Sequence, residues 1–246
     1  MDLGIAGKTA LVTGASIGIG RGIAIALARE GVKLAVVARR KTLLEELEKE
    51  IGTKLVIIEH DLLAENAVEK IAEQALRGLG SVEILINNAG GSRRFTLESS
   101  DAQWEEALTL NFVRQRQLAH ALLPQMIERK WGRVINITGK SEPEGLNGAF
   151  CAKAGVTAWS KGLSREVGKQ GITVNCIGPG RIMSDQIRRN YTPEYRAWQS
   201  EHEIPMGRYG EPEDLAVLAV FLASPRAGYI TGTVSPVDGG LRRYQY

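Results

Sequence analysis

Short apolar segments rich in β-branched residues alternate with longer helical patterns through most of this chain. Strands are predicted at Lys8–Thr13, Lys33–Val37, Lys54–Glu59, Val82–Ile86, Arg133–Ile137 and Ile172–Ile177. Helices are predicted between them at Arg21–Glu30, Leu43–Ile51, Glu65–Arg77 and Asp101–Lys130, and Pro124 is expected to kink or break the last one. This alternation predicts βαβ units and an α/β fold with a parallel sheet. Because the strands are apolar throughout, we expect both of their faces to be buried.

The last third of the chain departs from this pattern. Residues 180–210 contain arginines, tyrosines, a tryptophan and two prolines but no clear strand. A connection of about 30 residues exceeds the usual length, so an insertion that covers a substrate is predicted at about 181–210. Thr231–Val237 is predicted as the last strand, and Pro236 places it at a sheet edge, since proline donates no ladder hydrogen bond. No repeat or linker divides the chain, which predicts one domain over residues 1–246.

Composition excludes several classes of protein. The chain has 246 residues, of which 43% are hydrophobic and 24% charged, as in an ordinary globular protein. A net charge of +3 gives no reason to expect nucleic-acid binding. The longest uncharged stretch, Thr9–Gly20, is 12 residues long, whereas a membrane span needs roughly 20, so none is expected. The chain has only two cysteines, Cys151 and Cys176, and no signal-peptide pattern, which predicts a cytoplasmic protein. Its histidines are scattered, so no metal site is expected.

A glycine-rich turn, TGASIGIG at Thr13–Gly20, joins the first predicted strand to the first helix. Gly14, Gly18 and Gly20 allow a sharp turn in which phosphates contact backbone N–H groups at the helix N-terminus. The spacing is G-x-x-x-G-x-G, and a purely structural turn is the alternative. The strand before the turn and the helix after it favour nucleotide binding.

The second predicted strand ends in Ala38-Arg39-Arg40-Lys41. An acidic residue at this place would bind a ribose 2′-hydroxyl, whereas cations attract a 2′-phosphate. Three cations and no acid therefore predict NADP as the cofactor, with NAD as the alternative. The same residues could instead form a solvated helix start, although cations are mildly unfavourable there.

Further motifs follow the later strands, and together with the glycine turn they resemble the short-chain dehydrogenase/reductase family over nearly the full length. These motifs are His60-Asp61-Leu62, Asn87-Asn88-Ala89-Gly90, Asn111, Asn175–Gly180, Ile230-Thr231-Gly232 and Val237–Gly240. The resemblance implies a single Rossmann-like, doubly wound domain of seven parallel strands with helices on both faces. It also implies a homotetramer or homodimer that acts on a small-molecule substrate.

The resemblance implies a set of cofactor-binding residues near the strand ends. In this chain they are Gly14, Ser16, Ile17, Gly18, Ile19, Arg39, Arg40, Asp61, Leu62, Asn88, Ala89, Gly90, Lys153, Pro179, Gly180, Ile182 and Ser184. Asp61 could accept a hydrogen bond from the adenine amino group, and the Ser184 hydroxyl could hold the nicotinamide carboxamide. The backbone at Pro179 and Gly180 would meet the nicotinamide face. For each of these residues, support of the fold without ligand contact is the alternative.

The resemblance further implies that the helices beginning near Asp101 and Ala149 pair between subunits. One stripe at helical spacing lies in the second of these segments and consists of Ala152, Val156, Trp159, Leu163 and Val167. Burial between subunits and burial in the chain's own core both fit this stripe.

The family's catalytic residues are only half present. In the family a tyrosine gives a proton to a carbonyl as hydride arrives, a lysine four residues later lowers the pKa of that tyrosine, a serine binds the reacting oxygen, and an asparagine completes the set. Lys153 and Asn111 match the lysine and the asparagine, but Ala149 stands at the tyrosine position and Gly139 at the serine position. Neither replacement can donate a proton from its side chain. The stretch between Gly139 and Ala149 is also shorter than is usual in the family.

Three hypotheses follow from this loss. The first is an oxidoreductase with a substitute donor: Lys153 with a lowered pKa, the reacting oxygen bound by Thr138 or Ser141, and a water held by Asn111. Glu142 or Glu144 could also act as the acid if desolvated, and an iminium or a conjugated double bond would need no protein acid.

The second hypothesis is a non-catalytic NADP-binding protein, a sensor or a partner subunit, because the cofactor motifs are intact while the acid is absent. The third is a tyrosine that reaches the site from elsewhere in the chain. The candidates are Tyr191, Tyr195, Tyr209, Tyr244 and Tyr246.

Two arginine pairs, Arg93-Arg94 and Arg188-Arg189, flank the predicted substrate opening. Guanidinium groups bind carboxylates and phosphates, so the pairs could attract an acidic substrate. Solvated loop charges are the alternative.

Overall fold

The computed structural model describes residues 2–139 and 145–243, and these residues contain one sheet of seven strands. The strands are β1 (Thr9–Thr13), β2 (Lys33–Ala38), β3 (Val56–Glu59), β4 (Ile84–Asn87), β5 (Gly132–Ile137), β6 (Ile172–Pro179) and β7 (Val234–Val237). They run in the spatial order β3-β2-β1-β4-β5-β6-β7, and every neighbouring pair is parallel. All carboxyl ends therefore lie along the same edge of the sheet.

The helices cover both faces of this sheet. They are α1 (Gly18–Arg29), α2 (Lys41–Ile51), α3 (Ala67–Leu79), α4 (Asp101–Leu108), α5 (Arg114–Glu128), α6 (Gly148–Val167), α7 (Asp185–Asn190), α8 (Pro193–His202) and α9 (Pro212–Leu222). Successive strand residues point to opposite faces, so Val12 packs in the core cluster with α1, α2 and α9. Leu11 packs in the other cluster, with α3 and α5. This confirms the predicted doubly wound, Rossmann-like α/β fold in a single domain.

The sheet edges differ from the interior. The predicted edge position of the last strand is confirmed, because β7 pairs only with β6 and carries Pro236. The expectation that every strand is buried on both faces is wrong for β3 and β7, whose residues are partly exposed. Each edge strand has a neighbour on one side only, so the helices above and below cover it less completely.

The first helix and the long helical segment after β4 differ most from the sequence prediction, whereas α2 and α3 agree with it to within two residues at each end. The first helix begins at Gly18 rather than at Arg21, so the last glycines of the glycine turn form the first helical turn. The predicted break at Pro124 is wrong, because α5 runs through it. Pro124 has no N–H to donate to the carbonyl of residue 120, so that carbonyl lacks its helical partner. Both residues lie on the exposed face of α5, where water can donate to the carbonyl instead. The interruption lies earlier, in a π-helical turn at Thr109–Val113.

The stripe on α6 packs largely against this chain's own residues. Ala152, Val156 and Val167 are buried, and Val167 belongs to the core cluster on the α3 face. Trp159 and Leu163 pack against that cluster but remain partly exposed in the single chain. The chain's own core therefore accounts for the burial of three of the five residues.

No helix in the described part of the chain is both long and apolar enough to cross a membrane. Among the same residues, no group of His, Cys, Asp and Glu side chains is arranged to hold a metal ion.

Candidate active site

A cleft of about 900 Å³ opens at the carboxyl ends of the central strands. Its floor is the glycine turn after β1, and its walls are the segments after β2, β3 and β4, part of α4, and one face of α7. Open parallel sheets bind ligands at this position, where helices leave β1 and β4 toward opposite faces. The cleft is the candidate active site.

Most of the residues predicted to bind a cofactor line this cleft. They are Gly14, Ser16, Ile17, Gly18, Ile19, Arg39, Arg40, Asp61, Leu62, Asn88, Ala89, Gly90, Ile182 and Ser184. Among the predicted catalytic residues, Asn111 lines it as well. Lys153, Thr138, Pro179 and Gly180 are described but lie outside its lining, and Ser141 falls outside the described residues.

The glycine turn is shaped for a close approach. Gly14 has φ +66°, and a Cβ at this residue would lie 2.9 Å from the Cα of Ala89. A side chain at Gly14 would therefore be strained and would collide with the segment after β4. Ile17 is the N-cap of α1, and no side chain caps the helix or carries an acidic charge in its first turn. Within the described residues, the first N–H groups of α1 therefore remain free to bind an anion.

Thr13 and Asn88 hold the turn against the end of β4. The Thr13 hydroxyl accepts hydrogen bonds from the backbone N–H groups of Asn88 and Ala89, both at 3.0 Å. The Asn88 amide donates to the carbonyls of Thr13 at 3.0 Å and Gly14 at 3.1 Å. This reciprocal pairing holds the glycine turn against the segment after β4.

The far end of the cleft is positively charged. The Arg39 guanidinium lies 3.9 Å from the Asp61 carboxylate, which also accepts a hydrogen bond from the Leu63 N–H at 3.0 Å. Arg40 lines the cleft and forms no ion pair within the described residues. One guanidinium is therefore free to bind an anionic group at this end.

Asn111 supports the wall of the cleft from the π-helical turn. Its side-chain amide donates to the carbonyls of Gly91 and Ala107, both at 2.9 Å, and its Oδ1 accepts from the Gly91 N–H at 3.1 Å. The donors of this side chain are thus already used, so a water predicted to sit on the Asn111 side chain would have to share its oxygen. A Cβ on Gly90 would lie 2.7 Å from that oxygen, which explains the glycine.

Lys153 lies directly behind Gly90. Its ammonium donates to the Ile137 carbonyl at 2.6 Å, and a Cβ on Gly90 would be 3.6 Å from Nζ. The side chain is only 9% exposed. Burial lowers the pKa of Lys153 from 10.5 to about 8, although the neighbouring Cys176 opposes this shift. A buried amine with this pKa can hold or release a proton near neutral pH.

The other predicted residues at this end have structural contacts. The Thr138 hydroxyl and N–H both donate to the Ile177 carbonyl, at 3.1 and 2.9 Å, which ties Thr138 to β6. The Gly180 N–H donates to the Val237 carbonyl at 2.9 Å, and a Cβ on Gly180 would lie 2.5 Å from Asp238. Gly180 is thus required for strand packing whatever it contacts in a complex.

Ala149 replaces the expected tyrosine on the cleft wall. Its methyl group lines the cleft, and its residue is 5% exposed. No tyrosine lines the cleft within residues 2–139 and 145–243. Tyr209 donates to the buried Gln199 side chain, and the Tyr191 hydroxyl accepts from Arg181 at 3.1 Å. Tyr195 stacks between Tyr191 and Trp198, while Tyr244 and Tyr246 lie outside the described residues.

Sequence reasoning missed the wall that faces α7 across the cleft opening. Phe95, Gln103, Glu106, Ala107 and Leu110 line the cleft from α4 and the segments just before and after it. No motif marks these residues, and α4 was visible only as part of one long helical pattern. Asp185, Gln186, Arg189 and Asn190 line the opposite side from α7, where only the arginine attracted attention in the sequence.

Comparisons with known proteins agree with this geometry. The family model described as Enoyl-(Acyl carrier protein) reductase matches residues 14–242. The chain is 33% identical to the 3-oxoacyl-[acyl-carrier-protein] reductase FabG of Aquifex aeolicus, over 98% of this chain and 100% of that one. It is 37% identical to the FabG of Haemophilus influenzae, over 96% and 98%.

Solved structures of similar proteins share the whole fold. L-sorbose reductase from Gluconobacter frateurii, complexed with NADPH and L-sorbose, superimposes with a TM-score of 0.90 at 31% identity over 99% of this chain and 100% of that one. A 7α-hydroxysteroid dehydrogenase complexed with NADH superimposes with a TM-score of 0.92 at 30% identity over 97% and 96%. The relatives are named as oxidoreductases and the matches span nearly the entire chain, so this chain belongs to the short-chain dehydrogenase/reductase family.

Proposed function

We propose that this protein is an NADP(H)-dependent oxidoreductase of a small carbonyl, imine or related compound, in which no tyrosine delivers the proton. The observation that carries the proposal is the cleft itself. It combines three features: a glycine turn in which a side chain at Gly14 would collide with Ala89, free N–H groups at the start of α1, and a buried amine behind Gly90. A dinucleotide fits such a cleft because its phosphates can accept hydrogen bonds from the N–H groups at the start of α1.

The charges after β2 favour NADP over NAD. Arg39 is partly neutralised by Asp61 at 3.9 Å, whereas Arg40 forms no ion pair within the described chain. A free guanidinium binds a 2′-phosphate with charge-assisted hydrogen bonds, and no carboxylate replaces it to bind a 2′-hydroxyl.

Lys153 is the proposed proton donor. NADPH, when bound, supplies a hydride to the substrate. The ammonium of Lys153 is protonated at pH 7, because its pKa is about 8. Its Nζ lies 3.6 Å from the position of a Cβ on Gly90, and Gly90 lines the cleft. The Ile137 carbonyl orients the ammonium, and Asn111 fixes the backbone of the neighbouring Gly91. The proton therefore comes from a side chain that the family uses in a supporting role.

Ala149 brings no phenol to the wall of the cleft. The missing acid favours two substrate classes that need little help from a proton donor of the protein. An iminium already carries its charge, and a conjugated double bond accepts hydride at carbon. Ketones need the acid most, so they are expected to be the slowest class.

A non-catalytic NADP-binding protein is the second candidate. The specific observation in its favour is that Ala149 and Gly139 remove the phenol and the hydroxyl together, while the glycine turn and Arg40 are retained. Positioned acid catalysis contributes roughly 10²–10⁴-fold, so its loss leaves binding intact and turnover slow.

The deciding experiment is a turnover screen with NADPH against matched ketones, imines and enones. The enzyme hypothesis predicts oxidation of NADPH with at least one class, reduced at least roughly tenfold in Lys153→Ala. Lys161→Ala is the matched control, because Lys161 is exposed on the same helix. NADPH affinity is measured for each variant, since Lys153 is also predicted to contact the cofactor. Tight NADPH binding without turnover of any class would establish the second candidate instead.

We also propose that the protein is a cytoplasmic homotetramer or homodimer, as the resemblance to the family implies. Light scattering coupled to size-exclusion chromatography measures the mass in solution against the 26.8 kDa chain. A mass of one chain at micromolar concentration would contradict the proposed assembly.

A further inference from the structure

The two arginine pairs that the sequence places near the substrate opening differ in their surroundings. Of these four residues, only Arg189 both lines the cleft and lacks an ion pair within the described residues. Arg93 forms an ion pair with Glu106 at 2.6 Å, and Arg188 lies 3.7 Å from Asp185. Arg94 does not line the cleft. Arg189 lines the cleft, and no carboxylate in the described ranges lies within 4 Å of it.

The geometry of α7 explains why Arg189 and not Arg188 faces the cleft. Residues 185, 186, 189 and 190 line the cleft, whereas 187 and 188 do not, so one face of the helix turns inward. The Ser184 hydroxyl starts the helix by accepting a hydrogen bond from the Ile187 N–H at 3.2 Å. Arg189 follows Asp185 by four residues, which places it one turn, about 6 Å, farther along the axis.

The charges around this part of the cleft do not cancel. Each of the two carboxylates that line it, Glu106 and Asp185, already has its own arginine, at 2.6 and 3.7 Å. Arg189 therefore adds a positive charge to the cleft wall that no carboxylate of the described residues balances. A neutral or cationic substrate would gain nothing from this arrangement, whereas an anion would be attracted.

We propose that Arg189 binds an anionic group of the substrate, a carboxylate or a phosphate, and so selects an oxo acid or an oxo phosphate ester over its neutral analogue. The planar guanidinium can form two parallel hydrogen bonds to either group. This inference rests on the proposed function, because it assigns the substrate class of the same cleft. Of the four arginines, only Arg189 is assigned this role.

The test measures binding of matched anionic and neutral probes to protein saturated with NADP⁺, which prevents reduction. The probes are 3-oxobutanoate, 4-oxopentanoate and 5-oxohexanoate, their methyl esters, and dihydroxyacetone phosphate, each titrated by calorimetry. We expect at least one anion to bind about tenfold or more tightly than its neutral counterpart, as for a charge-assisted hydrogen bond. The oxo acids and the phosphate distinguish the two sources of the charge.

The variants decide whether Arg189 is responsible. Arg189→Gln is expected to remove the preference for the anion without changing the affinity for the ester, and Arg189→Lys to keep part of it. Arg188→Gln is the matched control, because Arg188 is the adjacent residue, carries the same charge and does not line the cleft. The proposal is overturned if no anion binds better than its ester, or if both glutamine variants lose the preference equally.

Failure of the proposed function would be recognised separately. If the protein does not bind NADP⁺ at all, the proposed function is refuted. The same titrations are then run on protein that carries Arg40→Gln, so that the other unpaired arginine of the cleft cannot supply the anion site. An Arg189-dependent preference in that background would support the anion site on its own.

Discussion

Replacing Lys153 with methionine should change how the stability of the protein depends on pH. The side chain is 9% exposed, and burial lowers its pKa from 10.5 to about 8. The native state therefore binds the Lys153 proton less tightly than the unfolded state does. This difference lowers the free energy of unfolding at every pH at which Lys153 is protonated in both states. This cost is about 3 kcal/mol below pH 8 and disappears as the pH rises from 8 to 10.5. Methionine is of similar length and carries no charge, so the variant avoids the cost.

The assay is urea unfolding of wild type and Lys153→Met without cofactor, followed by tryptophan fluorescence, at pH 7.0 and pH 9.5. The free energy of unfolding of the variant, relative to that of wild type, is expected to be about 2 kcal/mol higher at pH 7.0 than at pH 9.5. The loss of the hydrogen bond to the Ile137 carbonyl shifts both values equally and does not affect this difference. Lys161→Met, exposed on the same helix, is the control and should show no such difference.

An equal difference in the free energy of unfolding between Lys153→Met and wild type at both pH values would contradict the lowered pKa. It would mean that Lys153 keeps an ordinary pKa despite its burial, and Lys153 would then lose its qualification as a proton donor. A difference of the opposite sign would show that the native site stabilises the ammonium.

Three further predictions follow from the cleft. Arg40→Gln should weaken NADPH binding about tenfold or more and leave NADH binding unchanged, by fluorescence titration; an equal loss for both would contradict the NADP assignment. Gly90→Ala should lower the free energy of unfolding by about 1–3 kcal/mol, because its methyl group would lie 2.7 Å from the Asn111 oxygen; an unchanged urea midpoint would contradict this contact. The double variant Ala149→Tyr with Gly139→Ser should raise the rate of ketone reduction about 10²–10⁴-fold, since a Cβ at residue 139 meets no described atom within 4 Å; a rate equal to that of wild type would show that the rebuilt wall cannot hold the phenol.

The sequence predicted the fold class because its signals are local. The alternation of strands and helices, the glycine turn and the motif after β4 each lie within a few residues, and the structure places their residues along one cleft. Pro236 predicted an edge strand for the same reason, since the missing N–H is a property of one residue.

The remaining features depend on contacts between distant segments. Arg93 and Arg189 look alike in the sequence, and only the ion pair between Arg93 and Glu106 distinguishes them. The role of Asn111 depends on a π-helical turn that brings its amide to Gly91, twenty residues earlier. The predicted break at Pro124 was wrong because the helix tolerates a proline on its exposed face. A sequence pattern shows solvent exposure poorly.

The most direct measurement is a calorimetric titration of the purified protein with NADPH, repeated with NADP⁺, NADH and NAD⁺. We expect saturable binding of NADPH with one site per chain and weaker binding of NADH. No detectable heat and no change in cofactor fluorescence with all four dinucleotides would contradict it.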